Sequence, residues 1–148
     1  MNINQSLDII LVEDDIDDAE LTIRALQKNK MVKNLVHLKN GKEALDFMFD
    51  EGEYSGRDLH NNPSLILLDL KMPRMSGLEV LKIIKSDERT RPIPVTVLTS
   101  SKENPDLAQC YILGVNSYIV KPIEYEVFSE TVTQIGFYWL SLNHPPVQ

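Results

Sequence analysis

The feature that most constrains the fold is an alternation. Short, nearly uninterrupted apolar runs take turns with longer stretches of helical period. "LDIILV" (Leu7–Val12), "NLVHL" (Asn34–Leu38), "SLILLD" (Ser64–Asp69), "IPVTVLTS" (Ile93–Ser100) and "SYIV" (Ser117–Val120) read as five strands. The intervening segments repeat apolar residues at spacings of three and four. Ala19, Ile23 and Leu26 mark a first helix; Ala44, Leu45 and Met48 a second; Leu78, Leu81 and Ile84 a third. "NPDLAQCYILG" predicts a capped fourth helix with Asn104 as N-cap, Pro105 in its first position and Gly114 past its end. The fifth begins near Glu124 and carries Phe128, Val132, Ile135, Trp139 and Leu142 inward. "DEGEYSGRDLHNNP" (Asp50–Pro63) is polar and turn-rich, a loop. Strict β/α alternation implies a parallel sheet with helices on both faces, a three-layer α/β/α sandwich. Right-handed crossovers then bring every strand C-terminus to one edge, where ligand sites of open α/β sheets lie.

Composition narrows the function classes. A chain of 148 residues suits one domain, here 1–148 with a helical extension and a proline-containing tail over about 136–148. The net charge of −7 argues against a nucleic-acid surface, which needs clustered Lys and Arg. Cys110 is the only cysteine, so neither a disulfide framework nor a thiolate metal cluster is expected. No run approaches the ~20 apolar residues that span a bilayer, and "MNINQSLD" is not a secretion signal, so a cytoplasmic protein without a membrane partner is the expectation.

The strand ends carry the chemistry. The first strand runs directly into Glu13 and Asp14, and the third ends in Asp69. Two carboxylates about 4 Å apart repel by roughly 4 kcal/mol at a surface-like dielectric, so a fold that gathers three of them needs a cation. Oxygen-only ligands suit Mg²⁺ or Mn²⁺, with coordination completed by waters and phosphate oxygens. Asp15, Asp17 and Asp18 are read as acids at a helix N-terminus. The fourth strand delivers Thr99 and Ser100 to the same edge, and the fifth delivers Lys121. A hydroxyl and an ammonium facing three carboxylates suit the holding of a phosphoryl group, since phosphoryl transfer depends mostly on positioning and charge neutralisation.

Glu13–Asp14, Asp69 in "LILLDLKMPRMSGLEVL", Thr99 in "VLTSS", Tyr118 in "SYIVKP" and Lys121–Pro122, in this order and each at a strand end, resemble the receiver domain of two-component response regulators over Leu7 to about Ile135. The resemblance implies the flavodoxin-like fold. It makes Asp69 the phosphoacceptor, and Asp14, Asp69 and the carbonyl of Lys71 direct Mg²⁺ ligands, with Glu13 acting through water. Thr99 and Lys121 would hold the phosphoryl group, Tyr118 would be the aromatic switch, and the Lys121–Pro122 bond would be cis. Pro73 and Gly77 would shape the loop after Asp69. Ser100 stands where alanine is frequent, and Lys71 and Ser101 occupy positions that vary within the family.

The resemblance narrows further, through "FYWL" and "GEYSG", to single-domain regulators serving cyanobacterial and other bacterial phytochromes. It implies a phytochrome-type histidine kinase as donor and a homodimer built on the extended last helix. Phe137, Tyr138 and Trp139 are consecutive and cannot all face one core, which makes them interface candidates. The expected output is a phosphorylation-gated interaction surface rather than an enzyme. The competing expectations are a Mg²⁺-dependent aspartyl-phosphate phosphatase, whose usual Asp-x-Asp motif "VEDDI" does not match, and a constitutive pseudo-receiver.

Overall fold

The computed structural model describes residues 7–28, 30, 32–55, 62–122 and 124–144. Strands β1 (Ile9–Val12), β2 (Leu35–Leu38), β3 (Leu65–Leu68), β4 (Val95–Thr99) and β5 (Ser117–Val120) alternate with helices α1 (Ile16–Gln27), α2 (Gly41–Met48), α3 (Gly77–Ser86), α4 (Asn104–Leu113) and α5 (Tyr125–Phe137). The sheet is parallel throughout, in the order β2-β1-β3-β4-β5. The chain order reverses between β1 and β3, which lie side by side with Val12 opposite Leu68.

The central strands β1 and β3 are apolar without a break because both faces are covered. Ile10, Val12, Ile66, Leu68, Val95 and Val97 point into one core with Phe47, Met48, Val80, Leu81, Ile84 and Cys110 of α2, α3 and α4. Ile9, Leu11, Leu65, Leu67 and Leu98 point the other way, onto Ala25 and Leu26 of α1 and Phe128, Val132 and Ile135 of α5. Every residue of β1 and β3 is buried, whereas edge strand β5 is only half-buried.

Local signals set most element starts. Asp15, Asn40 and Ser76 each accept a hydrogen bond from the backbone amide three residues on, at 3.0, 2.8 and 3.3 Å, and so cap α1, α2 and α3. Gly77 is dictated sterically: a Cβ there would lie 2.1 Å from the carbonyl oxygen of Asp69 and 2.7 Å from Cα of Leu70. Its amide also donates to the Leu70 carbonyl at 2.9 Å, so α3 starts hard against the end of β3.

Three expectations need correction. Asn104 is not the cap of α4: the backbone ladder already begins at the Glu103 carbonyl, so Asn104 is the first helical residue and Glu103 the cap, without a side-chain bond. Gly114 does end the helix, in the left-handed conformation at φ 100°. The inward phase of α5 does not reach Leu142, which is 57% exposed. The helix widens into a π turn at Tyr138–Leu142, closed by an Asn143 amide to Tyr138 carbonyl bond of 2.8 Å, and the wider turn shifts the side-chain phase. Finally, no cis peptide bond occurs among the described residues, so the Lys121–Pro122 bond is trans, the intrinsically favoured isomer. The loop expected over Asp50–Pro63 contains a short 3₁₀ turn, Gly52–Tyr54; residues 56–61, and 145–148 of the expected tail, lie outside the described residues.

Candidate functional site

The register of β1 on β3 places Glu13 and Asp14 beside Asp69, whose amide donates to the Val12 carbonyl at 3.1 Å. One carboxylate oxygen from each of the three lies within 4.8 Å of the others. Glu13 and Asp69 are buried, and Asp14 is the most open of the three. The β1 end is fixed from the other side by His37 of β2, whose Nε2–H donates to the Glu13 carbonyl at 2.8 Å. Such crowding of hard oxygen donors fits Mg²⁺ or Mn²⁺ and has no ready account as a purely structural cluster.

Lys121 leaves β5 with its amide bonded to the Thr99 carbonyl at 2.7 Å, and its stem spans the strand ends. The ammonium pairs with Glu13 Oε1 at 2.6 Å and Asp18 Oδ2 at 3.0 Å, and stands 3.6 Å from Asp69 Oδ2. Asp18 does stand in the first turn of α1, as expected, and from there it also reaches into the site. Its partner lies 103 residues away in the chain, so no local spacing signalled it. Asp15, by contrast, is the helix cap.

Electrostatics follow from this crowding. Burial pushes the Glu13 carboxyl up; the Lys121 hydrogen bond opposes this, Asp69 adds to it, and the net position is about 8. Burial alone would lower the Lys121 ammonium, but the hydrogen bond and charge of Glu13, with Asp69 and Asp18 behind them, outweigh it and raise it. The ammonium thus stays charged and acts as one positive centre among crowded acids.

Thr99 ends β4, fully buried, and its Oγ1 accepts from the Ser101 amide at 3.4 Å. Tyr118 is half-buried against the α2–α3–α4 core, with its hydroxyl donating to the Ser101 carbonyl at 2.9 Å. The Lys71 amide lies 3.4 Å from Asp69 Oδ1, and its ammonium pairs with Asp106 Oδ2 of α4 at 3.3 Å. Asp106 also accepts from the Ser101 hydroxyl at 2.6 Å, and that bond is the first cause holding its carboxyl below the usual range. Sequence reasoning missed Asp106, because nothing in its spacing ties it to the loops after β3 and β4. Phe137, Tyr138 and Trp139 are not at this edge. α5 starts beside the site and runs back for roughly 20 Å, at 1.5 Å per residue. There Trp139 packs on the α1–α5 core, while Phe137 and Tyr138 are 49% and 48% exposed.

A parallel five-stranded sheet with three acids, a hydroxyl and a lysine at its C-terminal edge is the architecture of a signalling module of the response-regulator class. The profile of the response regulator receiver domain matches residues 9–133, and the chain belongs to that family. The probable methanogenesis regulatory protein FilR2 of Methanothrix harundinacea is 43% identical over 139 residues, 93% of this chain and 86% of that protein. Response regulator Rcp1 of Synechocystis is 36% identical over 132 residues, covering 89% of this chain and 88% of that protein. The crystal structure of the phosphorylated cyanobacterial phytochrome response regulator RcpA superposes with a TM-score of 0.89 at 37% identity, over 97% of this chain and all (100%) of that one. The Mn²⁺-bound form of Rcp1 superposes at 0.87 with 35% identity, over 94% and 98%. Among the described residues, no helix is long and apolar enough to cross a membrane.

Proposed function

We propose that this chain is a single-domain, cytoplasmic response regulator that takes a phosphoryl group onto Asp69 from a sensor histidine kinase of the phytochrome type. The observation that carries this reading is the convergence of Glu13, Asp14 and Asp69 within 4.8 Å beneath the Lys121 ammonium. The phytochrome assignment rests on the likeness to RcpA, which extends through the C-terminal helix because it covers nearly the whole of both chains. The 43% identity with FilR2 favours a second reading of the input alone, a kinase that answers a signal other than light, with the same acceptor chemistry.

In the forward step an Asp69 carboxylate oxygen attacks phosphorus in line, forming an O–P bond. The P–N bond to the donor histidine breaks, and the imidazole keeps its electron pair and takes up a proton. Asp14, Asp69 and the Lys71 carbonyl would hold a divalent ion directly. Glu13, whose oxygens already accept from Lys121 and from the Asp15 amide at 3.3 Å, would act through water. The bound ion supplies charge neutralisation for the equatorial phosphoryl oxygens. Lys121 neutralises a further charge, and Thr99 donates its hydroxyl. Movement of Thr99 toward the phosphoryl group draws on the Ser101 segment, to which Tyr118 is bonded, and so alters the face formed by α4, β5 and α5. That face, with Phe137, Tyr138 and Trp139 of the extended last helix, is the proposed homodimer surface and output.

Incubation with acetyl phosphate and Mg²⁺ tests the acceptor. Intact mass should show one phosphate on the wild-type chain and none on Asp69→Asn, with the same circular dichroism for both. Many rapid turnovers per chain would instead identify a phosphatase. Phosphate uptake by Asp69→Asn would remove Asp69 from its role.

A further inference from the structure

α4 is the least anchored helix of the fold. Of its ten residues only Cys110 is buried, its cap Glu103 makes no side-chain bond, and Tyr111 and Ile112 face solvent. Its first turn is held by polar contacts that reach back to the site. Asp106 receives the Ser101 hydroxyl at 2.6 Å and the Lys71 ammonium at 3.3 Å. Ser101 in turn donates its amide to Thr99 Oγ1, and its carbonyl accepts from the Tyr118 hydroxyl. Lys71 starts beside the acceptor, its amide 3.4 Å from Asp69 Oδ1. One ion pair therefore joins the loop after the acceptor strand to the helix that flanks the output face.

The pair is built for exchange. The Lys71 side chain is 57% exposed, and exposed pairs are weak and easily replaced. Lysine is a point charge on a flexible stem and can turn to a new anion without matching a planar geometry. Asp106 keeps the Ser101 hydroxyl when the ammonium leaves, so it is not stranded. Lys121 is in the opposite position, already engaged by Glu13 at 2.6 Å and Asp18 at 3.0 Å in the unphosphorylated state.

We propose that Lys71 is a second phosphoryl-binding cation and that Asp106 is its positioning residue. In the resting protein Asp106 parks the ammonium on α4. Once Asp69 carries a phosphoryl group, its single carboxylate charge is replaced by about two negative charges spread over the phosphoryl oxygens at the root of the Lys71 side chain, the ammonium transfers to those oxygens, and the first turn of α4 is released. This relay runs beside the Thr99–Tyr118 route and rests on Asp69 being the acceptor.

Hydrogen exchange of amides 104–113 in the full chain, with and without beryllium fluoride and Mg²⁺ as a stable phosphoryl mimic, tests the relay. In the wild type, exchange of α4 should rise at least about fivefold on addition of the mimic, the lower range of allosteric coupling. In Asp106→Asn and in Lys71→Met it should be high already and change little, whereas Lys71→Arg should restore the wild-type difference. A loss of packing alone would raise exchange in both states and leave their ratio intact. A wild-type ratio in Lys71→Met and Asp106→Asn overturns the relay while leaving the acceptor in place. A wild-type chain that takes up no phosphate from acetyl phosphate overturns both.

Discussion

The centre of the sheet and its β5 flank are built to different standards. At its centre β1 and β3 are buried at every position, and α3 inserts Gly77, Val80, Leu81 and Ile84 beside them. At the flank β5 is half-buried throughout, and α4 buries one residue of its ten. The first region fixes three acids to within a few ångströms, which costs electrostatic energy and so needs rigid surroundings. The second is held by a few polar contacts, and elements that must move are drawn from the weakly held part of a structure. Placement of chemistry and transmission of its outcome are thus assigned to parts of unequal stability.

Substitution in the two regions is the most forceful way to break this comparison. Ile66→Ala in β3 should cost about 2–5 kcal/mol in urea unfolding. Ile112→Ala in α4, at a side chain 77% exposed, should stay within about 0.5 kcal/mol. Equal losses would mean that α4 is as firmly held as the centre.

A smaller effect is expected at the end of α5. If a second copy completes the loose flank, the double variant Phe137→Ala/Tyr138→Ala should weaken self-association about tenfold, near 1.4 kcal/mol, by sedimentation equilibrium. A wild type that stays monomeric at high concentration, phosphorylated or not, would leave the loose flank without this partner.

The smallest effect sharpens the account of the centre. The Glu13 carboxyl stands near 8 when folded against an ordinary 4.5. Its folded position is raised, so its contribution to stability is present below 4.5 and is lost as pH rises through 8. The Lys121 ammonium is raised above an ordinary 10.5, so its contribution is constant over the same window. The metal-free protein should therefore lose melting temperature between pH 6 and pH 8.5, by a few degrees at the roughly 2–8 °C per kcal/mol typical of small domains. Added Mg²⁺ should restore more at pH 8.5 than at pH 6. An Mg²⁺ shift independent of pH would detach Glu13 from the ion.

Much of this was legible in the residues. Short apolar runs located all five strands, most sharply β1 and β3, where burial on both faces leaves no room for polar alternation, and strand-end position then gathered Glu13, Asp14, Asp69, Thr99 and Lys121 without tertiary information. What stayed hidden depended on contacts across the chain. Asp18 was assigned to a helix start because its partner lies 103 residues away. Asp106 drew no notice in the sequence, since its tie to Lys71 exists only in the folded chain. The Asn104 cap failed by one position, because Asn104 is itself the first residue of the proline-containing first turn and Glu103 precedes it. The phase of α5 failed where the helix widens at Tyr138, a departure that simple three-and-four spacing does not encode.

The contact at Gly77 has a directional consequence. With no room for a single methyl group between α3 and the Asp69 carbonyl, that side of the acceptor is a fixed wall. Any displacement that begins at Asp69 has to propagate past the buried β4 toward α4, where the packing yields, so the fold itself decides which surface can report the event.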